Sequence, residues 1–144
     1  AMLSSGADKT RVQKTERIAD KKITTRYLDV CLHNTKVYGD SSFLNCTRCN
    51  KCIRTASTME VLGTLENYGE VFDLRLYSRN RSENWGHILY SSVIMKDDLA
   101  CEIVQEVKRR AFRIPVCAFF FFVMEGVRNQ LKKIRRLFAG RGNR

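Results

Sequence analysis

The chain has 144 residues, which is enough for one domain or for one domain with a small subdomain. Its composition, 44% hydrophobic and 28% charged, excludes a disordered chain, and one proline with eight glycines favours helices over a many-turned β protein. The formal net charge of +11 favours encounters with polyanions, although excess Lys and Arg can also serve only to solvate helix faces.

The sequence carries no targeting or membrane signal. The N-terminal stretch is polar and lacks the apolar region of a signal peptide. The most apolar run, Ile114 to Met124, is much shorter than the roughly 20 residues that a membrane-spanning helix needs. Clustered cysteines without an export signal favour a reducing cytoplasm and metal binding over disulfides. We expect Ala1-Met2 to be a tag remnant before a starting methionine, which leaves room for protein sequence upstream.

The first half of the chain predicts short elements around one long loop. Asp8 is placed to cap a helix that runs to about Ala19. The stretch from Thr24 to Cys31 is rich in Thr, Tyr, Leu and Val, and we expect it to be an extended segment that delivers Cys31. Residues 32–45 have loop composition.

The middle of the chain predicts helices on both sides of a polar boundary. A helix follows Cys52 and ends near Gly63. Residues 79–84 form the most polar internal stretch, and they mark the expected boundary between two subdomains. Ser82 would cap the next helix.

Two helices are predicted in the last third. Asp97 or Asp98 caps the first of them. Its buried face would consist of Leu99, Ile103, Val107 and Ala111. The final helix begins at Pro115 and ends at Gly140. Its buried face would consist of Val116, Phe120, Val123, Val127, Leu131, Ile134 and Phe138.

The predicted fold is therefore mainly α, with a small irregular four-cysteine zinc subdomain followed by a helical bundle. The zinc subdomain with its flanking helices spans residues 1–78, and the helical subdomain spans residues 79–144. The two are able to pack as one domain.

Four cysteines form the strongest chemical signal. Cys46, Cys49 and Cys52 are spaced C-x2-C-x2-C, and Cys31 lies upstream. This spacing lets neighbouring thiolates reach one ion, and zinc takes four such ligands in a tetrahedron. We predict a zinc site formed by these four residues.

Other interpretations of the cysteines stay open. Three close cysteines also occur in iron–sulfur proteins, but the bacterial continuation x3-C-P is missing here. Free or redox-active thiols are a third interpretation. His33 could replace or supplement Cys31, while Cys101 and Cys117 are expected to be buried, inert thiols on apolar helix faces. A closed four-cysteine site is usually structural, and no catalytic residue stands out.

The cysteine region resembles a known arrangement. The residues that carry the resemblance are Leu28-Asp-Val-Cys31, Asn45-Cys-Thr-Arg-Cys-Asn-Lys-Cys-Ile-Arg-Thr55 and Met59-Glu-Val-Leu-Gly-Thr-Leu65. They are similar to the C-terminal zinc-binding region of PP-loop ATP pyrophosphatases, within the adenine nucleotide α-hydrolase-like superfamily. The 7-cyano-7-deazaguanine synthases are relatives with such a site, although the insert between Cys31 and Cys46 is longer here.

The resemblance implies a supporting role for this chain. It would be the C-terminal part of an ATP-using enzyme whose ATP-binding domain lies outside it. The phosphate-binding Ser-Gly-Gly-x-Asp-Ser loop of that domain has only a distorted echo in Ser4–Lys9, so the chain alone should not hydrolyse ATP.

Two sets of residues are candidates for ligand contact. Contact with a nucleotide, a tRNA or an acidic substrate is expected at Arg11, Lys14, Arg54 and Thr55. In the alternative hypothesis the chain is a basic module that binds nucleic acid or docks on a partner or anionic membrane. Contact with a polyanion is then expected at Lys132, Lys133, Arg135 and Arg136.

Overall fold

The described part of the chain consists of helices and connecting loops. The computed structural model describes residues 8–19, 21–32 and 42–139, with the backbone alone for 136–139. In chain order the helices are α1 (Arg11–Ala19), α2 (Thr24–Tyr27), α3 (Asn50–Leu62), α4 (Leu74–Val93), α5 (Asp98–Arg109) and α6 (Cys117–Ala139), with a 3₁₀ turn at Leu65–Tyr68. No strand occurs in these ranges, so the prediction of a mainly helical protein with a four-cysteine region followed by helices is confirmed. Within the same ranges, no helix is long and apolar enough to cross a membrane.

The N-terminal part differs from the prediction at two points. Thr10 caps α1 in place of Asp8, because its Oγ1 accepts from Gln13 N–H (3.2 Å) while Gln13 Oε1 accepts from Thr10 N–H (3.0 Å). The stretch from Thr24 begins as the helical turn α2, and only from Leu28 is the backbone extended. The Thr24 hydroxyl explains this difference, since it lies 2.7 Å from Lys21 O and 2.8 Å from the hydroxyl of the buried Tyr68.

Helix α3 ends as predicted, whereas α4 begins earlier than predicted. Gly63 caps α3 in the left-handed conformation (φ 74°) that favours glycine. The N-cap of α4 is Asp73, whose carboxylate accepts from Leu76 N–H at 2.9 Å, so the prediction of Ser82 as a cap is wrong. Residues 79–84, the expected boundary, lie inside this continuous helix. The division into two subdomains stays a prediction.

The core consists of two groups of buried side chains. One surrounds the cysteines and includes Met59 and Phe72, and the other surrounds Trp85 and Ile103. Glu60 of α3 lies between the two groups.

Glu60 joins α3 to α4 through buried donors. Its Oε2 accepts from the Tyr77 hydroxyl (2.7 Å) and from Trp85 Nε1–H (2.9 Å), and its Oε1 accepts from Arg81. Burial and the adjacent Glu60 carboxylate raise the pKa of Tyr77, so this phenol stays protonated and acts as a donor.

The structure confirms most of the features predicted for helix α5. Asp97 is its N-cap and accepts from Ala100 N–H at 3.0 Å. Ile103 and Val107 are buried as predicted. Ala111 lies beyond the end of the helix, is exposed and has a positive φ of 50°, so its assignment to the buried face is wrong.

Helix α6 forms as predicted but presents the opposite face to the core. The stripe predicted to be buried is exposed, and we call it the α6 apolar face. Its side chains are 46–84% exposed, and they are Val116, Phe119, Phe120, Val123, Met124, Val127, Leu131 and Ile134. The side that packs on α4 carries Ala118, Phe121, Phe122 and Gly126.

A close approach at Gly86 explains this orientation. A Cβ built on Gly86 would lie 2.5 Å from Phe121 Cβ and 2.8 Å from Ala118 O, so only a residue without a side chain fits. Further along α4, Tyr90 contacts Gly126, which shows that α4 and α6 run in the same direction. Helix α6 therefore passes the end of α4 at Val93 and continues to Ala139.

We expect Gly86→Ala to separate α4 from α6. The added methyl group would overlap backbone atoms of α6, and such overpacking costs about 1–3 kcal/mol. Urea unfolding measures this loss. Gly126→Ala is the matched control, because its nearest contact is Tyr90 at 3.6 Å and alanine favours a helix interior by about 0.5–1 kcal/mol. Equal stability of the two variants would contradict the close contact at Gly86.

Candidate metal centre

Four cysteine sulfurs converge at one point beside the start of α3. The Sγ atoms of Cys31, Cys46, Cys49 and Cys52 all lie within 4.8 Å of one another. Cys52 Sγ is 3.4 Å from Cys49 Sγ and 3.8 Å from Cys46 Sγ. In a tetrahedral site with metal–sulfur bonds of ~2.3 Å, the sulfurs are about 3.8 Å apart. The donor set and its spacing therefore fit a single metal ion.

The turn before α3 positions three of the four sulfurs. Cys49 is the N-cap of α3, and its backbone N–H points to Cys46 Sγ at 3.3 Å. Thr47 has a positive φ of 54°, which brings the chain sharply around between Cys46 and Cys49. Cys52 lies in the first turn of α3, where the free N–H groups and the helix dipole favour negative charge.

Asn45 holds the fourth sulfur in place, a role that the sequence analysis missed. Its Oδ1 accepts from Val30 N–H at 2.9 Å, and its Nδ2 donates to Leu28 O at 2.7 Å and to Val71 O at 3.1 Å. Asn45 is 1% exposed, so these bonds are shielded from water. They fasten the irregular segment that carries Cys31 to the segment that carries the other three cysteines.

Thr47 fastens the turn to α4, a second role that the sequence did not reveal. Its Oγ1 accepts from Asp73 N–H at 3.0 Å, directly at the cap of α4. Both residues belong to the cysteine motif itself. The signal available in the sequence was their position directly on either side of Cys46.

The surroundings shift the pKa values of Cys46, Cys49 and Cys52 in different directions. Burial raises the pKa of Cys46, and burial with the neighbouring thiols raises the pKa of Cys52. Burial acts in the same direction at Cys49, but hydrogen bonds from the backbone of Leu32 and Cys52 outweigh it and lower the pKa to about 7. A metal must displace the thiol protons, so binding releases them and is favoured by higher pH.

The predicted ligand-contact residues lie together in one cavity. Arg11 and Lys14 of α1 and Arg54 and Thr55 of α3 line a cavity of about 300 Å³ between α1, α3 and α5. The guanidinium of Arg54 also donates to Asp97 at 2.9 Å.

The other predicted residues lie elsewhere. Lys132, Lys133 and Arg135 are exposed on α6, and Arg136 belongs to the same helix, with its side chain outside the described residues. His33 also lies outside the described residues.

The two remaining cysteines differ from each other. Cys101 is half-buried against Ser92. Cys117 is exposed, so its predicted place on a buried face is wrong.

Comparisons of the chain with models of protein families, with curated proteins and with solved structures found no match.

We expect Asn45→Ala to loosen the Cys31 segment. The change leaves the Val30 N–H and the Leu28 and Val71 carbonyls without their partner, at a cost of about 1–3 kcal/mol for each buried group left unpaired. Urea unfolding and competition with a zinc chelator measure the loss of stability and of metal affinity. The matched control is Asn50→Ala, an exposed asparagine of the same motif. Similar values for the two variants would contradict the role of Asn45.

Proposed function

We propose that the chain is a zinc-binding domain whose metal site is structural. The observation that carries this proposal is the convergence of four cysteine sulfurs within 4.8 Å. Four thiolate ligands fill a tetrahedral coordination sphere and leave no position for a substrate or a reactive water. The ion then serves to hold the Cys31 segment, the turn at Thr47 and the start of α3 together.

Zinc is preferred over an iron–sulfur cluster because of the distances between the sulfurs. In a cluster with four irons each cysteine binds a different iron, which separates the sulfurs more than a single ion does. The separations of 3.4 and 3.8 Å favour one ion. Among single ions, zinc is the usual occupant of tetrahedral four-thiolate sites, and such sites persist in a reducing compartment such as the cytoplasm.

The biological role proposed for this domain is that of an accessory part of a PP-loop ATP-using enzyme. The support is the resemblance of the motifs around Cys31 and between Asn45 and Leu65 to the zinc region of those proteins. In this role the chain contributes no catalytic residue, and an ATP-binding domain is its partner. The sequence that precedes this chain in its gene tests the role. A Ser-Gly-Gly-x-Asp-Ser loop between a strand and a helix is expected there, and its absence there and in neighbouring genes would contradict the role.

Elemental analysis tests the metal. The chain purified without added metal should contain about one zinc ion and no inorganic sulfide. Cys49→Ser should lose the ion and unfold far more readily, because the binding energy of a structural metal is folding energy. Cys117→Ser is the matched control, since this exposed cysteine lies outside the site. A brown protein with iron and sulfide, or an unchanged melting temperature in Cys49→Ser, would overturn the proposal.

A specific observation favours a second function, docking on a partner helix. The α6 apolar face follows steps of four, three and four residues from Val116 to Val127, and the steps of four and three continue to Leu131 and Ile134. The pattern therefore repeats after eleven residues. This period keeps an apolar seam nearly straight along a helix. A phosphate backbone offers no apolar surface that could cover this face. The exposure of its side chains therefore favours a protein partner over nucleic acid.

The charges on α6 indicate the kind of partner. Glu125 is its only acidic residue, and its basic residues are Arg128, Lys132, Lys133, Arg135 and Arg136. A second copy of α6 in parallel alignment would place these cations side by side, which disfavours a parallel homodimer through this face. An amphipathic helix with acidic flanks complements both the apolar seam and the charge.

A synthetic helix tests this docking function. A peptide with leucines in the same four-three-four spacing and glutamates on both flanks should bind the full chain, and Val127→Asp/Leu131→Asp should abolish binding. The control peptide carries lysines in place of the glutamates and should not bind. Binding of anionic vesicles instead of the acidic peptide, or self-association of the chain, would contradict the function.

A further inference from the structure

The cavity between α1, α3 and α5 has a charged rim and an apolar floor. Its rim carries Arg11 and Lys14 from α1 and Lys51 and Arg54 from α3, and its floor includes Ile18 and Ile103. No acidic residue is among the described residues that line it. Several cations without an acidic residue among them are unusual around a cleft that holds only water, because like charges repel one another.

Most of the positive charge at this rim is uncompensated. Asp97 neutralises Arg54 through a hydrogen bond of 2.9 Å. Within the described part of the chain, no carboxylate forms an ion pair with Arg11, Lys14 or Lys51. Three cations from two helices therefore face the cavity without an ion-pair partner. Near Arg11, the carboxylate of Glu102 accepts from the backbone N–H groups of Arg11 and Val12 at 3.0 and 3.4 Å.

The rim also offers a neutral donor. The Thr15 hydroxyl donates to Arg11 O at 3.0 Å, and the Thr58 hydroxyl donates to Arg54 O at 2.8 Å. The Thr55 hydroxyl has no hydrogen-bond partner among the described residues and remains available as a donor. A group with several acceptor oxygens would satisfy this hydroxyl and the cations together.

The positive charge of the rim and the apolar floor together indicate the class of ligand that fits this cavity. A phosphate monoester carries about 1.5 to 2 negative charges at pH 7 and three acceptor oxygens, which suits three cations better than a carboxylate does. The apolar floor accepts an uncharged ring, and a volume of about 300 Å³ lies at the lower end of small-molecule sites.

We propose that this cavity binds a phosphate monoester with an attached ring system, of the size of a nucleoside monophosphate. Arg11, Lys14 and Lys51 contact the phosphate, Thr55 donates a hydrogen bond to it, and the ring lies on the apolar floor. The site rests on the proposed zinc centre only in that the metal fixes the start of α3, which carries Lys51.

Calorimetric titration of the full, zinc-loaded chain tests the site. AMP should bind at least tenfold more tightly than either adenosine or inorganic phosphate, because only AMP uses both the floor and the rim. A short oligonucleotide with and without a 5′-phosphate distinguishes the source of the phosphate. Competition of only the phosphorylated form with AMP would assign the site to a nucleic-acid end. Competition by neither form would assign it to a free nucleotide.

Matched variants separate a site from general electrostatics. Arg11→Gln/Lys14→Gln should weaken AMP binding at least tenfold, and Lys132→Gln/Lys133→Gln, with the same loss of charge on α6, should change it less than twofold. Thr55→Val removes one donor without changing the charge and should weaken AMP binding severalfold while leaving adenosine unaffected.

Three outcomes would overturn the inference: equal weakening in both double variants, no preference for AMP over adenosine and phosphate, or no binding at millimolar AMP. Zinc content is measured on the same samples. A chain with one zinc that fails to bind AMP refutes the cavity site alone, and a chain without zinc that binds AMP refutes the zinc centre alone.

Discussion

The approach of four sulfurs to one point is the constraint on which the rest of this structure depends. Four thiolates within 4.8 Å repel one another strongly unless protons or a cation neutralise them. The start of α3 and the Cys49 N–H offset only part of this charge, since Arg54 is paired with Asp97 and the cysteines are largely buried. A metal ion bound here would remove this repulsion, and it would join a segment without regular structure to the first turn of α3.

The ligand set was accessible from the sequence because the spacing of Cys46, Cys49 and Cys52 restricts how three sulfurs can point. The role of Asn45 was not accessible from the sequence, since it depends on carbonyl and amide groups of Leu28, Val30 and Val71. These groups lie 15 to 26 residues from Asn45 in the chain, and no local pattern reveals that they meet. The cavity was partly predictable. Residues that line it were named individually from the sequence, but only the packing of α1 against α3 shows that they line one space.

Helix positions were predictable where local signals decide them, as with Asp97 before α5 and Gly63 after α3. The prediction of which side of α6 is buried was wrong for a physical reason. Periodicity shows that one side of a helix is apolar, but it does not say which side another element covers. Gly86 lets α6 approach α4 through Ala118 and Phe121, and this close contact selects the less obvious face. The predicted cap at Ser82 was wrong for a similar reason, since Ser82 lies inside one long, partly exposed helix that Asp73 caps.

The position of Trp85 gives this protein an internal optical reporter. It is the single tryptophan of the chain, it is fully buried, and its indole N–H donates to Glu60 of α3. Its fluorescence therefore senses the contact between α3 and α4, and the N-terminal end of α3 lies at the cysteines. A change in emission on chelation would mean that disorder at the sulfurs spreads along α3, whereas constant emission would mean that the helical body keeps its packing on its own.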